Sequence, residues 1–118
     1  MSSIQQISPE EIKPLHKPRQ RALLKRLAKD MAANGWTGRP LLVIERNGEY
    51  FAWTGSHRIA AAIEAELEAV PCYIIDEANL PEETTADYGH LMDYDRLNII
   101  RQTGDETAIH IMWEEGRS

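Results

Sequence analysis

The chain has 118 residues, of which 42% are hydrophobic and 27% charged, and its formal net charge is -6. This length predicts one domain with one core, and the ordinary composition excludes a fibrous or low-complexity chain. No segment approaches the roughly 18 continuous apolar residues of a membrane span, and the first residues show no leader pattern. We therefore expect a cytoplasmic protein without membrane contact.

The charges are divided unevenly between the two halves of the chain. Residues 1–60 contain ten Lys and Arg against five Asp and Glu, whereas residues 61–118 contain three against fourteen. The basic first half favours a local anion site, but an isoelectric point near 5.2 argues against a broad nucleic-acid interface. We expect a small anion as ligand and no DNA binding from this chain alone.

The first third of the chain predicts a strand, a broken loop and a helix. The segment "SIQQIS" is typical of a short edge strand, and three prolines in residues 9–18 predict loop or single turns after it. Apolar residues at helical spacing from Leu23 to Met31 predict a helix that begins near Gln20. The pair Asn34-Gly35 ends it, because these residues tolerate the left-handed conformation.

The middle of the chain predicts a hairpin, a second helix and a third strand. Asn47-Gly48 lies between "PLLVIE" and "YFAWT", which is the strongest short-range hairpin signal. Ile59, Ile63 and Leu67 then repeat every four residues and predict about three helical turns. The run "AVPCYIID" predicts a strand, in which Cys72, the only cysteine, is expected to be buried and unreactive.

The acidic segment 77–118 predicts mainly helix. A helical stretch runs from residue 81 through Arg101 and ends at Gly104, and "TAIHIMWEE" predicts either a final strand or a short helix. Four residues of this segment have metal-ligating side chains, but helical spacing favours a solvated face, so no metal site is predicted. They are Asp87, His90, Asp93 and Asp95. A lid, a dimer surface and simple packing all remain open for this segment.

The stretch Thr54-Gly55-Ser56-His57-Arg58 joins the hairpin to the second helix. The first turn of a helix has backbone N–H groups without partners and a partial positive charge, which favours an anion. Gly55 would let the anion approach the backbone, Ser56 would cap the helix or donate outward, and His57 and Arg58 would add donors. The alternative is an ordinary turn with an N-cap, although cations in a first turn oppose the helix dipole.

The order of these elements carries a family resemblance over residues 4–76. Together the elements resemble the N-terminal domain of ParB proteins, the sulfiredoxins and the free-serine kinases. The features that carry the resemblance are a Pro-Arg after a short strand, a helix ending in Gly, the hairpin, the Gly-x-x-Arg turn and a helix ending at Val-Pro. The resemblance implies a single α/β domain, a small mixed sheet flanked by helices, over residues 1–118. It also implies nucleotide phosphates at the Gly55 turn, with Lys17 and Arg19 closing the site from the basic loop.

Departures from these relatives narrow the function. Sulfiredoxins carry a nucleophilic cysteine where this chain has Ser56, so sulfinic-acid reduction is not expected. Serine kinases carry an acid after the histidine that aligns with His16, where this chain has Lys17, and ParB proteins are the nearest match. We expect a phosphate-binding domain for a nucleoside triphosphate, ATP or CTP with Mg²⁺, that acts as a switch or slow NTPase. The alternative functions are a small-molecule phosphotransferase and a ParB-like nuclease. A homodimer or a protein partner also stays open. Trp53, which directly precedes the turn, could form one wall of a pocket for the base.

Overall fold

A five-stranded mixed sheet lies at the centre of the fold. The structure is a computed structural model that describes residues 4–14, 20–53, 55–80 and 93–116, with the side chains of 93–95 and 114–116 left out. The strands are β1 (Ile4–Ile7), β2 (Ile12–Lys13), β3 (Leu41–Arg46), β4 (Glu49–Ala52) and β5 (Val70–Asp76). The α-helices of the described residues are α1 (Arg21–Asn34), α2 (Ser56–Glu64), α3 (Asp93–Thr103) and α4 (Glu106–Gly116). None of these helices is long and apolar enough to cross a membrane.

The strand order is β1-β5-β3-β4-β2, with β3 in the middle. β3 pairs antiparallel with β4 and parallel with β5, and α2 lies in the connection between β4 and β5. β1 pairs antiparallel with β5 at one edge, and β2 pairs parallel with β4 at the other. A central strand covered on both faces needs apolar residues in succession, and residues 41–44 of β3 are all fully buried.

Helices cover both faces of the sheet. Leu41 and Val43 of β3 point into a core with α1 and α2, whereas Leu42 and Ile44 point into a second core. That second core contains Ile100 of α3 and three residues of α4, which are Ala108, Ile111 and Met112. The mixed α/β fold predicted from the sequence is therefore confirmed, as three layers with the sheet in the middle.

Most predicted elements are confirmed with small changes in their bounds. The edge strand, the first helix, the hairpin, the second helix and the third strand are all present. Asn47 and Gly48 have φ values of 52° and 80°, as a tight hairpin turn requires. The helix predicted over 81–101 is described only from Asp93, and residues 81–92, with Asp87 and His90, lie outside the described residues.

Two predictions need correction. The segment after β1 contains a single 3-10 turn, Pro9–Glu11, which agrees with the predicted loop or single turns, but it also contains the two-residue strand β2, which was not predicted and pairs with Tyr50 and Phe51. The segment "TAIHIMWEE" is helical, so the predicted strand is wrong and the alternative of a helix is right. The reason is burial: Ala108, Ile111 and Met112 share one helix face and pack on the sheet.

Cys72 is a core residue, as predicted. Its side chain is fully buried in β5, where Sγ donates weakly to the Val70 carbonyl at 3.5 Å. Desolvation by burial raises the pKa of the thiol from 9.0 to about 12. The group is therefore a neutral thiol at physiological pH.

Candidate functional site

The strand-to-helix turn presents an uncapped helix N-terminus. β4 ends at Ala52, Trp53 N–H still donates to the Leu42 carbonyl at 2.8 Å, and α2 begins at Ser56. Gly55 is the N-cap and has φ 83° and ψ 34°, a left-handed conformation that favours glycine. No side chain of the described residues caps α2, and the first amide that bonds back to the N-cap is Ile59 N–H, to the Gly55 carbonyl at 2.9 Å. As far as the described residues go, the amides of the first turn thus remain available to an acceptor from outside the helix.

Ser56 contributes a buried hydroxyl without a hydrogen-bond partner. The residue is only 6% exposed, and its Oγ has no hydrogen-bond partner among the described residues. The predicted capping role is wrong, because Ser56 is the first helical residue and Gly55 occupies the N-cap. Leaving a buried hydroxyl unsatisfied costs about 1–3 kcal/mol, so this group is an exception that calls for an explanation.

His57 joins the N-termini of two helices. Its Nε2 accepts a hydrogen bond from the Gln20 backbone N–H at 3.2 Å, and Gln20 is the N-cap of α1. A neutral imidazole that accepts at Nε2 carries its proton on Nδ1, so only Nδ1 can donate. Neither helix has an acidic residue in its first turn or a side-chain cap. Two positive helix-dipole ends therefore meet at this histidine.

The guanidinium of Arg58 is held by the loop that follows α1. It lies over the Trp36 ring at 4.1 Å from the centroid, and its Nη2 donates to the Arg39 carbonyl at 2.6 Å and the Thr37 carbonyl at 3.5 Å. Trp36 Nε1 donates to the same Arg39 carbonyl at 3.1 Å. This arrangement could not be predicted from the sequence, because a contact with a backbone carbonyl does not depend on the type of the residue that supplies it.

Three predicted site residues are not placed. Thr54, Lys17 and Arg19 lie outside the described residues, so their part in the site stays a prediction. The described residues bring Gly55, Ser56, His57 and Arg58 together with Gln20, which directly follows Arg19 in the chain.

Trp53 lies in the core and does not wall a pocket. Its side chain is fully buried with α3 and α4, and its Nε1 donates to the Arg96 carbonyl at 3.4 Å. The predicted base-pocket role is therefore wrong. Over the described ranges, no group of three or more His, Cys, Asp or Glu side chains is arranged to hold a metal ion.

Residues 1–88 match the ParB N-terminal domain family, and no curated protein matches the chain. Among solved structures, sulfiredoxin from Arabidopsis thaliana is similar with a TM-score of 0.55 and 25% identity, over 63% of this chain and 85% of that one. C-terminally truncated ParB from Caulobacter crescentus, complexed with CTP-γ-S, has a TM-score of 0.58 and 21% identity, over 82% of this chain and 49% of that one.

A free serine kinase in complex with AMP is similar with a TM-score of 0.50 and 22% identity, over 64% of this chain and 31% of the kinase. The chain thus spans about half of the ParB structure and about a third of the kinase. At these identities the likeness to ParB and to the kinase shows the shared fold.

Proposed function

This chain belongs to the family of ParB N-terminal domains, and on that premise we propose that it binds a nucleotide, whose phosphate groups lie at the N-terminus of α2. The observation that carries the proposal is the buried Ser56 hydroxyl at the N-terminus of α2: among the described residues, nothing bonds to this hydroxyl and no side chain caps the helix. A phosphate oxygen would supply the missing acceptor. The similar ParB structure contains CTP-γ-S and the similar kinase contains AMP, which supports a nucleotide as the ligand.

Each described residue of the turn has a distinct role in this proposal. Gly55 lets a phosphate approach the backbone amides, and Ser56 donates its hydroxyl from within the first turn. His57 donates from Nδ1, because the Gln20 amide occupies Nε2, and Arg58 supplies positive charge. Each hydrogen bond to a charged phosphate oxygen contributes about 1.5–3 kcal/mol, so three or four of them contribute about 5–12 kcal/mol, a range that includes the roughly 8 kcal/mol of micromolar binding.

Three further residues belong to the proposed site. Gln20 N–H bonds to His57, so the residue that directly follows Arg19 in the chain lies at the N-terminus of α2. We include Lys17 and Arg19 on that ground and Thr54 because it directly precedes Gly55 in the sequence, with Mg²⁺ as a companion of a triphosphate. CTP and ATP are both candidates, and a nucleotide-dependent switch or slow hydrolysis would follow from the same site.

Ser56 also bears on the chemistry of the site. An alcohol attacks as a nucleophile only when a base accepts its proton, and Nε2 of the adjacent His57 is committed to the Gln20 amide. We therefore propose binding as the primary activity. Phosphotransfer to a small acceptor and nucleic-acid cleavage are the activities that the experiment below also measures.

The test is a titration of the full chain with CTP, ATP, AMP and inorganic triphosphate, each with and without Mg²⁺. We expect a Tm rise with at least one nucleoside triphosphate, since ligand at 100 times its Kd adds about 2.7 kcal/mol to the free energy of unfolding. For a domain of this size each kcal/mol raises Tm by roughly 4 °C or more. Ser56→Ala should weaken binding while leaving the unliganded protein as stable or more stable, because it removes an unsatisfied buried hydroxyl.

Matched histidine variants separate the site from the general charge of the protein. His57→Ala should weaken binding, whereas His110→Ala, an exposed position on α4, should not. Phosphate release, transfer to free serine and Mg²⁺-dependent cleavage of DNA are measured in the same samples. Binding by none of the four compounds would refute the proposal, and cleavage of DNA without nucleotide binding would favour a nuclease.

A further inference from the structure

Three uncharged groups contact the guanidinium of Arg58, and we call them the clamp. They are the Trp36 ring at 4.1 Å and the carbonyls of Arg39 at 2.6 Å and Thr37 at 3.5 Å. Hydrogen bonds and a cation–π contact fix the orientation of a guanidinium. The clamp therefore orients the Arg58 side chain.

The clamp is itself braced by a second hydrogen bond. Trp36 Nε1 donates to the Arg39 carbonyl at 3.1 Å, and Arg58 Nη2 donates to the same oxygen. The face of the indole thus stacks on the guanidinium, and the edge of the indole donates to the Arg39 carbonyl oxygen that the guanidinium also bonds. Removing the indole would loosen both, whereas a phenyl ring would keep the stacking contact and lose only the edge hydrogen bond.

A cation at this position is unfavourable for the helix alone. Arg58 is in the first turn of α2, where a positive charge opposes the helix dipole. Arginine also loses rotamer entropy when its side chain is fixed. A side chain that is fixed in advance loses less on binding an anion, which is the general benefit of preorganisation.

We propose that Trp36 is a positioning residue for the phosphate site: its indole holds the Arg58 guanidinium in the orientation in which it meets the anion. This inference rests on the proposed nucleotide binding and adds a residue from outside the Gly55 turn. Trp36 itself need not touch the ligand, since it acts through Arg58.

A double-mutant cycle tests the inference. The Kd of inorganic triphosphate and of CTP is measured by calorimetry for the natural chain, Trp36→Leu, Arg58→Ala and the double variant. We expect Trp36→Leu to weaken binding about tenfold in the presence of Arg58, the scale of a partly desolvated cation–π contact, and less than about twofold in the Arg58→Ala background. Trp36→Phe should retain most of the affinity. Trp113→Leu, which removes an exposed indole on α4, is the matched control and should bind like the natural chain.

A spectroscopic readout accompanies the cycle. Stacking over an indole shifts the Arg58 side-chain proton resonances upfield, so we expect that shift in the natural chain and in Trp36→Phe, and its loss in Trp36→Leu. An equal loss of affinity from Trp36→Leu in both backgrounds would show a merely structural role and overturn the inference while leaving nucleotide binding intact. Unchanged affinity in Trp36→Leu would overturn it as well. If the natural chain binds neither of these compounds, and neither ATP nor AMP, both proposals are overturned.

Discussion

Two small polar side chains are buried in this protein under opposite conditions. Cys72 lies in the core between the sheet and the first two helices, and its thiol has a weak partner in the Val70 carbonyl. Ser56 lies at a helix end, and no partner for its hydroxyl is found among the described residues. A thiol behaves as a small apolar group and loses little on burial, whereas an unsatisfied hydroxyl destabilises the fold. The stability of the fold alone therefore does not explain why a serine is buried at position 56.

Burial makes a pH-dependent prediction for Cys72. Because the pKa of the thiol rises from 9.0 to about 12 on folding, its contribution to the free energy of unfolding is complete below pH 9.0 and is lost as the pH rises toward 12. The loss reaches at most about 1.4 kcal/mol per pH unit. Urea unfolding between about pH 8 and pH 11 measures this slope, and Cys72→Ala should remove that part of it.

Thiol labelling gives an independent check of the same burial. At about pH 8 the folded chain should react with a disulfide reagent far more slowly than a free cysteine, and urea should restore the ordinary rate. Rapid labelling of the folded protein would contradict the buried position, and an identical pH slope in Cys72→Ala would contradict the linkage.

At the scale of elements, local signals predicted the structure where one local feature decides it. Asn47 and Gly48 fix the hairpin through their positive φ angles, and Gly55 marks the start of α2. β2 could not be found this way, because its two residues become a strand only by pairing with Tyr50 and Phe51 of β4. The stacking of Trp36 on Arg58 escapes sequence reasoning for the same reason, since it joins two elements.

The start of α4 has a local signal, an N-cap aspartate, that favours a helix although the alternation of apolar residues favours a strand. Asp105 Oδ1 accepts the Ala108 N–H at 3.1 Å, as an N-cap does at the third helical position, and its Oδ2 accepts the Tyr73 hydroxyl at 2.7 Å. An aspartate two residues after Thr103 and directly before Glu106 is a typical helix start. Weighing that cap above the alternation of Ile109, Ile111 and Trp113 would have favoured the helix.

Asp105 should therefore stabilise both α4 and its attachment to the sheet. Asp105→Ala is expected to lower the free energy of unfolding by about 1–2 kcal/mol through the lost cap, with about 1 kcal/mol more for the bond to Tyr73. Tyr73→Phe alone should cost about 1 kcal/mol. Urea unfolding of both single variants and the double variant measures the coupling, and Asp105→Asn is a control that keeps a carbonyl acceptor for the cap. Fully additive losses would show that Tyr73 and Asp105 do not act on each other.

At the scale of the whole molecule, two helices of the acidic C-terminal segment, α3 and α4, cover one face of the sheet. The role of that segment stayed open in the sequence because nothing local says whether a helix packs, closes a site or binds a second copy. The alternation along β3 accounts for the packing: Leu41 and Val43 are covered by α1 and α2, so Leu42 and Ile44 need a second layer. α3 and α4 supply that layer, together with Trp53 of the hairpin end.

A chain shortened after Leu80 should therefore fail to fold cooperatively. It would expose Leu42, Ile44 and Trp53, all fully buried in the full chain, and each large apolar side chain contributes about 1.5–3 kcal/mol on burial. The whole domain is stable by only about 5–15 kcal/mol, so the loss is comparable to the total. Circular dichroism should show no sharp thermal transition, and Trp53 emission should shift to the red. Trp113→Phe in the full chain is the control, because it removes the half-exposed indole and leaves the layer in place. If the shortened chain instead melts sharply near the full chain's Tm, α3 and α4 form a detachable lid, and the second core contributes nothing essential to the fold.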